Sequence, residues 1–337
     1  MSLSRPATFP LLKLPWLCIK CVLHNSNEFI LLYFATISAR TRRIVKNSSY
    51  PLKEIEVDLG ERSRIRMKDQ LGKTENEKSW YFIHDNNANG SKLSLERNSQ
   101  PFRTIEYLDC WEDHHLHSYT TGDKLDALKL CMEFMIDVFG CTIRHVSVPG
   151  NKLSELVRLG ISSVEKLYIS YADPVNITDL RLLLENIEVT DKYIFCAPIP
   201  ANFSCDPQIF KCQELVFWLD SAAWITREIL LQLEVPRLKF EKCPFSVEDI
   251  LSFVIQWFHS DNKKLEYLHI ESCGQISLEK FLTVDLNPLL FSGRTRVPPT
   301  FGVFDLSKGL EIVRHDGLKA TFHVKGWDFL FYIWHNQ

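Results

Sequence analysis

The chain has 337 residues, of which 45% are hydrophobic and 24% charged, and its formal net charge is −3. This composition excludes collagen-like, low-complexity and acidic disordered proteins, and the length suffices for about two domains. The slightly negative charge also argues against a protein that binds nucleic acid over its whole surface.

The charge is unevenly distributed along the chain. Residues 1–50 carry seven Lys or Arg side chains and one Glu, so this segment is +6 and the remainder is −9. Such polarity indicates an N-terminal module that meets an acidic partner, with a solvated basic face as the alternative.

Ten cysteines are spread through apolar patterns, and no export signal precedes them, so we expect free thiols. The apolar stretch 9–23 is interrupted by Lys13, Pro15 and Lys20, and the run 30–37 is too short to span a bilayer. We therefore expect no membrane segment and a cytoplasmic or nuclear location.

Residues 5–47 predict three short helices. Pro15 suits the first helical position after Leu14, and the apolar positions that follow at helical spacing are Ile19, Val22 and Leu23. The run 29–34 predicts a buried second helix, and Ser38 can cap a third helix that carries basic side chains on its outer side.

Residues 48–122 predict a β-rich connector, with strand-like runs at 54–59, 62–67 and 80–84. A helix from about Leu125 to Phe139 follows. Cys110, His114, His115 and His117 form a cluster in a predicted loop, which we interpret as coincidental and not as a metal site.

From 143 to 282 a short strand, a loop and an amphipathic helix recur with a period near 24 residues. The paired apolar strand positions are Val146/Val148, Leu167/Ile169, Tyr193/Phe195, Phe217/Leu219, Leu238/Phe240 and Leu268/Ile270. The predicted helices are 153–159, 177–187, 226–233 and 246–258. This period predicts an α/β fold built as a degenerate leucine-rich-repeat-like solenoid, with an ordinary α/β domain as the alternative.

The C-terminal segment follows a linker, Val297-Pro298-Pro299. The runs 301–314 and 321–335 alternate like antiparallel strands around Asp316-Gly317, which predicts a β-hairpin or three-strand cap at 300–337.

Catalytic signatures are incomplete. Leu71-Gly72-Lys73-Thr74 lacks the first glycine of a phosphate-binding loop, and Gly160-Ile161-Ser162-Ser163-Val164 lacks the second glycine of a nucleophile elbow. We expect no enzyme and no cofactor; a cysteine hydrolase is the alternative.

The run Phe9-Pro10-Leu11-Leu12-Lys13-Leu14-Pro15 and the segment 38–46 resemble the F-box. Residues from about 124 to 282, including Ser221-Ala222-Ala223-Trp224-Ile225-Thr226, resemble the F-box-associated domain of a large nematode family, and the tail 304–320 is similar to that family's end. We accordingly divide the chain into an F-box at 5–47, the connector at 48–122, an F-box-associated repeat domain at 123–290 and the cap at 300–337.

The resemblance implies a substrate adaptor. The F-box would dock on the Skp adaptor of a Skp–cullin–F-box ubiquitin ligase, and the repeat domain would capture an unknown protein substrate. By position, the implied adaptor-binding residues are Leu14, Pro15, Ile19, Val22, Leu23, Phe29, Leu32, Ser38 and Arg42. The chain departs from the family at Ser26-Asn27-Glu28, where Asp or Pro often precedes the second helix. A solenoid scaffold outside the ubiquitin pathway is the alternative function.

Two physical arguments agree with this reading. A three-helix module this short cannot bury its apolar face alone, so a partner helix is expected, and its positive charge would steer it to an acidic partner.

In the repeat domain, strand alternation turns the neighbours of the paired apolar residues to the opposite face. The candidate substrate-binding residues on that face are Tyr168, Trp218, Arg237, Lys239, Tyr267 and His269; the alternative for Trp218 is that the C-terminal hairpin covers it.

Overall fold

The computed structural model describes residues 11–68, 78–85, 102–108, 114–171, 174–283, 286, 289–290 and 306–335. The predictions made for residues 9–10, the 71–74 motif, Cys110 and the 297–299 linker lie outside these ranges. The chain divides into two units, Met1–Arg144 and His145–Gln337.

The first unit begins with the predicted helices. They are α1 (Trp16–His24), α2 (Glu28–Ile37) and α3 (Ala39–Asn47). The Asn27 side chain accepts a hydrogen bond from the Ile30 N–H and so fixes the start of α2, at the point where the sequence departs from the family pattern. Ser38 caps α3 as predicted, in a reciprocal capping box with Thr41.

Glu28, the only acidic residue of the first fifty, is buried. Its carboxylate forms an ion pair with Lys78 and accepts a hydrogen bond of 3.2 Å from the Tyr50 hydroxyl. A buried carboxylate needs such partners, because desolvation of an unpaired charge costs several kcal/mol. These contacts join α2 to the strands that follow.

The strands of the first unit are β1 (Glu54–Asp58), β2 (Ser63–Lys68), β3 (Lys78–His84), β4 (Phe102–Leu108) and β5 (His114–Thr120). Their order is β1-β2-β3-β5-β4, and only the β3–β5 pair is parallel. The predicted connector strands are therefore present. The predicted loop at the histidine cluster is wrong, because His115 and His117 lie on β5 between two neighbouring strands.

A longer helix, α4 (Lys124–Phe139), completes the first unit. Asp123 caps its start, and Gly140 ends it in the left-handed conformation that glycine adopts without strain (φ 66°). The helix contacts α3, β2 and β3. It thus belongs with the first unit, whereas the sequence analysis places it at the start of the repeat domain.

The second unit alternates strands and helices. The strands are β6 (Thr142–Pro149), β7 (Ser163–Ser170), β8 (Glu188–Phe195), β9 (Glu214–Trp218), β10 (Arg237–Cys243) and β11 (Tyr267–Ser272). The helices are α5 (Leu153–Arg158), α6 (Ile177–Asn186), α7 (Arg227–Gln232), α8 (Val247–His259) and α9 (Glu279–Leu282). Strands β6 to β11 are parallel and neighbour one another in chain order.

The sheet of the second unit ends in antiparallel strands. They are β12 (Leu289–Leu290), β13 (Leu310–Val313), β14 (Lys319–Lys325) and β15 (Asp328–Trp334). β15 pairs with β11, and the order continues β14-β13-β12. The three antiparallel strands predicted as one form of the C-terminal segment are present as β13, β14 and β15; the run 321–335 contains two of them, because the chain turns at Gly326 (φ 65°).

The buried face of the parallel sheet contains a ladder of phenylalanines. The ring of Phe217 stacks on Phe195 at 4.9 Å and on Phe240 at 5.4 Å, and all three are buried. The register shows that Leu215 and Phe217, not Phe217 and Leu219, are the inward pair of β9. Leu219 lies beyond the strand in a left-handed conformation (φ 55°) and is exposed.

The molecule is therefore a mixed α/β protein, as predicted. The strand order of β6 to β11 is compatible with stacked repeats, and the leucine-rich-repeat-like solenoid remains an interpretation of that order.

Candidate protein-interaction surfaces

The structure separates the residues implied in adaptor binding into interior and surface groups. Four of them are buried inside the helical module: Ile19, Leu23, Phe29 and Leu32. They hold the helices in place and are not available for direct contact with a partner. Leu14 is partly buried, and Pro15 and Val22 are exposed.

Ser38 and Arg42 have structural roles within the first unit. Ser38 is the N-cap of α3. Arg42, predicted on the outer side of this helix, is partly buried, with its guanidinium carbon 5.0 Å from the centre of the Phe134 ring. The predicted exposure of Arg42 is therefore corrected: it packs on α4, a helix that the sequence assigned to another domain.

Large apolar side chains remain exposed on α1 and α2. We call this set the helical surface; it consists of Trp16, Leu17, Val22, Ile30 and Ile37. Leu17 and Ile37 are 74% and 71% exposed. Sequence reasoning singled out only Val22, because it searched for the buried face. Leu17, Ile30 and Ile37 are apolar but lie off that face. Apolar residues outside the buried stripe of a helix are the sequence signal that could have predicted this exposed set.

Basic side chains accompany the helical surface. Lys13, Arg40 and Arg43 are exposed and form no ion pair with any residue that the structure describes, whereas Lys46 pairs with Asp137 at 2.8 Å. The first unit thus presents apolar groups and net positive charge on its helices.

In the second unit, the face opposite the phenylalanine ladder carries charged side chains that largely form ion pairs with one another. Arg237 is 3.4 Å from Asp191, and Lys239 is 2.6 Å from Glu241. Tyr168 is partly buried, and its hydrogen bond with Cys196 raises the pKa of the hydroxyl to about 12. These three predicted substrate contacts therefore lie on this face, and two of them are engaged in ion pairs.

Tyr267 and His269 are buried, so their predicted exposure is wrong. The Tyr267 hydroxyl donates to Glu214 at 3.2 Å, and the His269 Nε2 lies 3.2 Å from Asp328. The sequence analysis derived their exposure from strand alternation alone, whereas β15 pairs with β11 and the side chain of Asp328 on β15 meets that of His269. Burial lowers the pKa of His269, so the imidazole is neutral at pH 7.

Aromatic and apolar side chains are exposed where the strands of the second unit end. We call this set the aromatic edge; it consists of Tyr171 after β7, Trp218 and Leu219 at the end of β9, and Trp327 in the β14–β15 turn. Trp218 is 37% exposed, as predicted, and is not covered by the C-terminal strands that the structure describes. Trp327 is 60% exposed and was missed, because its turn lay inside a predicted continuous strand.

Backbone hydrogen bonds hold the Trp327 turn next to β11. The Ser272 N–H donates to the Trp327 carbonyl at 2.9 Å, and the Ile276 N–H donates to the Gly326 carbonyl at 3.0 Å. The strand order β9-β10-β11-β15 then places Trp218 and Trp327 three strand spacings apart at one edge of the sheet.

Within the described ranges, no three or more His, Cys, Asp or Glu side chains are arranged to hold a metal ion. No helix in this part of the chain has the length and apolar character needed to cross a membrane. The predicted free thiols are present among the described cysteines.

The second unit is similar in part to a known protein family. A family model described as F-box associated matches residues 206–270, which extend from the turn before β9 to Ile270 on β11. Searches of curated proteins and of solved structures gave no match. The matched region of the second unit is thus similar to F-box-associated domains, and it includes Trp218 and Leu219.

Proposed function

We propose that this protein is the substrate receptor of a Skp–cullin–F-box ubiquitin ligase. In this proposal the helical module is an F-box that binds the Skp adaptor, and the second unit captures the protein to be ubiquitinated. The observation that carries the proposal is the F-box-associated match at 206–270, in a chain whose N-terminal helices leave large apolar side chains exposed.

The composition of the helical surface supports a protein partner. The exposed side chains of Leu17 and Ile37 would each become buried against a partner helix, and burial of apolar surface is the main favourable term in association. The exposed Lys13, Arg40 and Arg43 would speed encounter with an acidic adaptor. Buried Ile19, Leu23, Phe29 and Leu32 would act indirectly, by fixing the helices that present this surface.

The architecture of the second unit supports a receptor role. Parallel strands in chain order form a rigid frame, and in such a solenoid-like frame the segments after each strand lie along one edge. The aromatic edge lies on these segments. Exposed Trp and Tyr are enriched at interface hot spots, so the aromatic edge is our candidate for partner capture, in place of the face that contains Tyr267 and His269.

The mechanism requires no chemistry from this chain. The ligase's transferring enzyme forms the isopeptide bond, and the receptor raises the effective concentration of substrate lysines near it. Burial raises the pKa of the thiols of Cys141 and Cys205 to about 11 and of Cys212 and Cys243 to about 12. These thiols stay protonated at pH 7, which favours a binding protein over a cysteine hydrolase at these positions.

Calorimetric titration of the full-length chain with purified Skp adaptor tests the proposal. Leu17→Asp, and Leu14→Ala combined with Pro15→Ala, are expected to weaken binding by about 100-fold, as for interface anchors of a few kcal/mol. Leu182→Asp, at an exposed apolar position on α6, is the matched control and should bind as the wild type does. Absence of binding by the wild type would favour a protein-interaction scaffold outside the ubiquitin pathway.

A further inference from the structure

The aromatic edge has dimensions that limit what it can hold. Adjacent strands lie about 4.8 Å apart, so the three spacings between Trp218 on β9 and the β15 end of the Trp327 turn amount to roughly 14 Å. An extended chain rises about 3.3 Å per residue and covers that distance in about four residues. Two apolar side chains separated by four residues could therefore contact both tryptophans at once.

The charged groups between the tryptophans give this edge a slight negative charge. Glu241 is neutralised by Lys239, and Asp328 lies beside the neutral His269. Four further charges are Asp220, Lys242, Glu271 and Lys325, none of which forms an ion pair with any residue that the structure describes. Two carboxylates and two ammonium groups cancel, so Asp328 remains as the net charge.

Recognition of a phosphorylated segment needs a different set of side chains. Phosphate-binding sites use clustered arginines, whose planar guanidinium groups donate paired hydrogen bonds. Among the described residues at the ends of β9, β10, β11 and β14 no arginine is present. A phosphate placed between the tryptophans would lie near Asp220, Glu271 and Asp328 as well as Lys242 and Lys325, and the excess of one carboxylate would disfavour it.

We infer that the aromatic edge binds an unphosphorylated, extended segment of the partner through two large apolar side chains about four residues apart, and that phosphorylation between those side chains weakens binding. The inference rests on the proposed function for the role of the partner as a substrate. Its physical basis is the spacing of Trp218 and Trp327 and the charge of the edge.

Synthetic peptides provide the test. The probe is a set of 12-residue peptides with two leucines separated by two to seven positions, each made with serine and with phosphoserine between the leucines. Binding to the full-length chain is measured by fluorescence anisotropy. We expect the strongest binding at a separation of four, because side chains an odd number of positions apart on an extended chain point to opposite faces, and about tenfold weaker binding of the phosphoserine form.

Variants assign the binding to the edge. Trp218→Ala and Trp327→Ala should each weaken peptide binding at least tenfold in a protein that still unfolds in one cooperative transition, and Leu182→Ala should leave peptide binding unchanged. Tighter binding of the phosphoserine peptides, equal binding by the tryptophan variants, or no peptide binding would overturn the inference. Adaptor binding is measured separately, so peptide binding without adaptor binding would contradict the proposed function and leave the inference standing.

Discussion

The backbone N–H of Ser272 donates a 2.9 Å hydrogen bond to the carbonyl of Trp327, which ties the last turn of the sheet to the end of β11. Through this bond a residue close to the C-terminus becomes part of a surface whose other members belong to β7 and β9. The aromatic edge therefore depends on the pairing of β15 with β11, and not on the repeat period alone.

Phe217 and Trp218 are adjacent in sequence but should respond differently to truncation. Phe217→Ala removes the central ring of a buried ladder and should lower the free energy of unfolding by about 3–5 kcal/mol. Trp218→Ala removes a side chain that is 37% exposed and only partly packed, and should lower it by clearly less, about 1–2 kcal/mol. Urea denaturation of both variants measures this difference; a loss of several kcal/mol for Trp218→Ala would show that this ring is core.

The ion pair between buried Glu28 and partly buried Lys78 should show energetic coupling. Lys78→Met leaves the buried Glu28 carboxylate without its cation and should cost about 3 kcal/mol, whereas Glu28→Gln leaves Lys78 partly solvated and should cost less. The double variant should cost clearly less than the sum of the two, which a double-mutant cycle in urea measures. Additive effects would mean that the two side chains do not interact in solution.

Asp316 should make stability depend on pH in the acid range. Hydrogen bonds from Arg314 hold the pKa of this carboxyl well below its usual range near 4. The ionised carboxylate thus stabilises the folded state at pH values above about 4, and this contribution is lost as the pH falls towards the folded pKa. Urea midpoints between pH 6 and pH 2.5 should fall less steeply for Asp316→Asn than for the wild type; parallel curves would contradict the assignment.

The guanidinium of Arg314 is buried, lies 5.0 Å from the Trp257 ring centre and donates to the Asn262 carbonyl at 2.8 Å. Arg314→Met keeps the apolar stem and removes these contacts, which should cost about 3 kcal/mol. Differential scanning calorimetry measures the loss. Arg181→Met, at an exposed position on α6, serves as the control and should change the melting temperature little.

The helices were predicted well from the sequence because the residues that cap a helix lie within a few positions of its start. Ser38 caps α3 and Ser246 caps α8 through hydrogen bonds within four residues of sequence, and Asn27 sets the start of α2 in the same way. The inward positions of β7, β10 and β11 also agree with the observed register, because alternation along a strand is local.

Tertiary pairing was not predictable from such patterns. The partner of β11 is β15, about sixty residues away in sequence, and this pairing decides that Tyr267 and His269 are buried. Leu219 alternates correctly with Phe217, but the chain leaves the strand at φ 55°, a conformation that costs Leu about 1 kcal/mol and that sequence alternation does not indicate. The burial of two of the six predicted substrate-binding residues, Tyr267 and His269, thus depended on long-range contacts.

The most direct measurement compares the proteins that co-purify with three full-length forms of the chain by quantitative mass spectrometry. These are the wild type, Leu17→Asp, and Trp218→Ala combined with Trp327→Ala. The account predicts that Leu17→Asp loses the Skp adaptor and cullin but retains the captured proteins, whereas the double tryptophan variant retains the ligase and loses those proteins. Absence of the Skp adaptor from the wild type, or loss of both groups together in either folded variant, would contradict it.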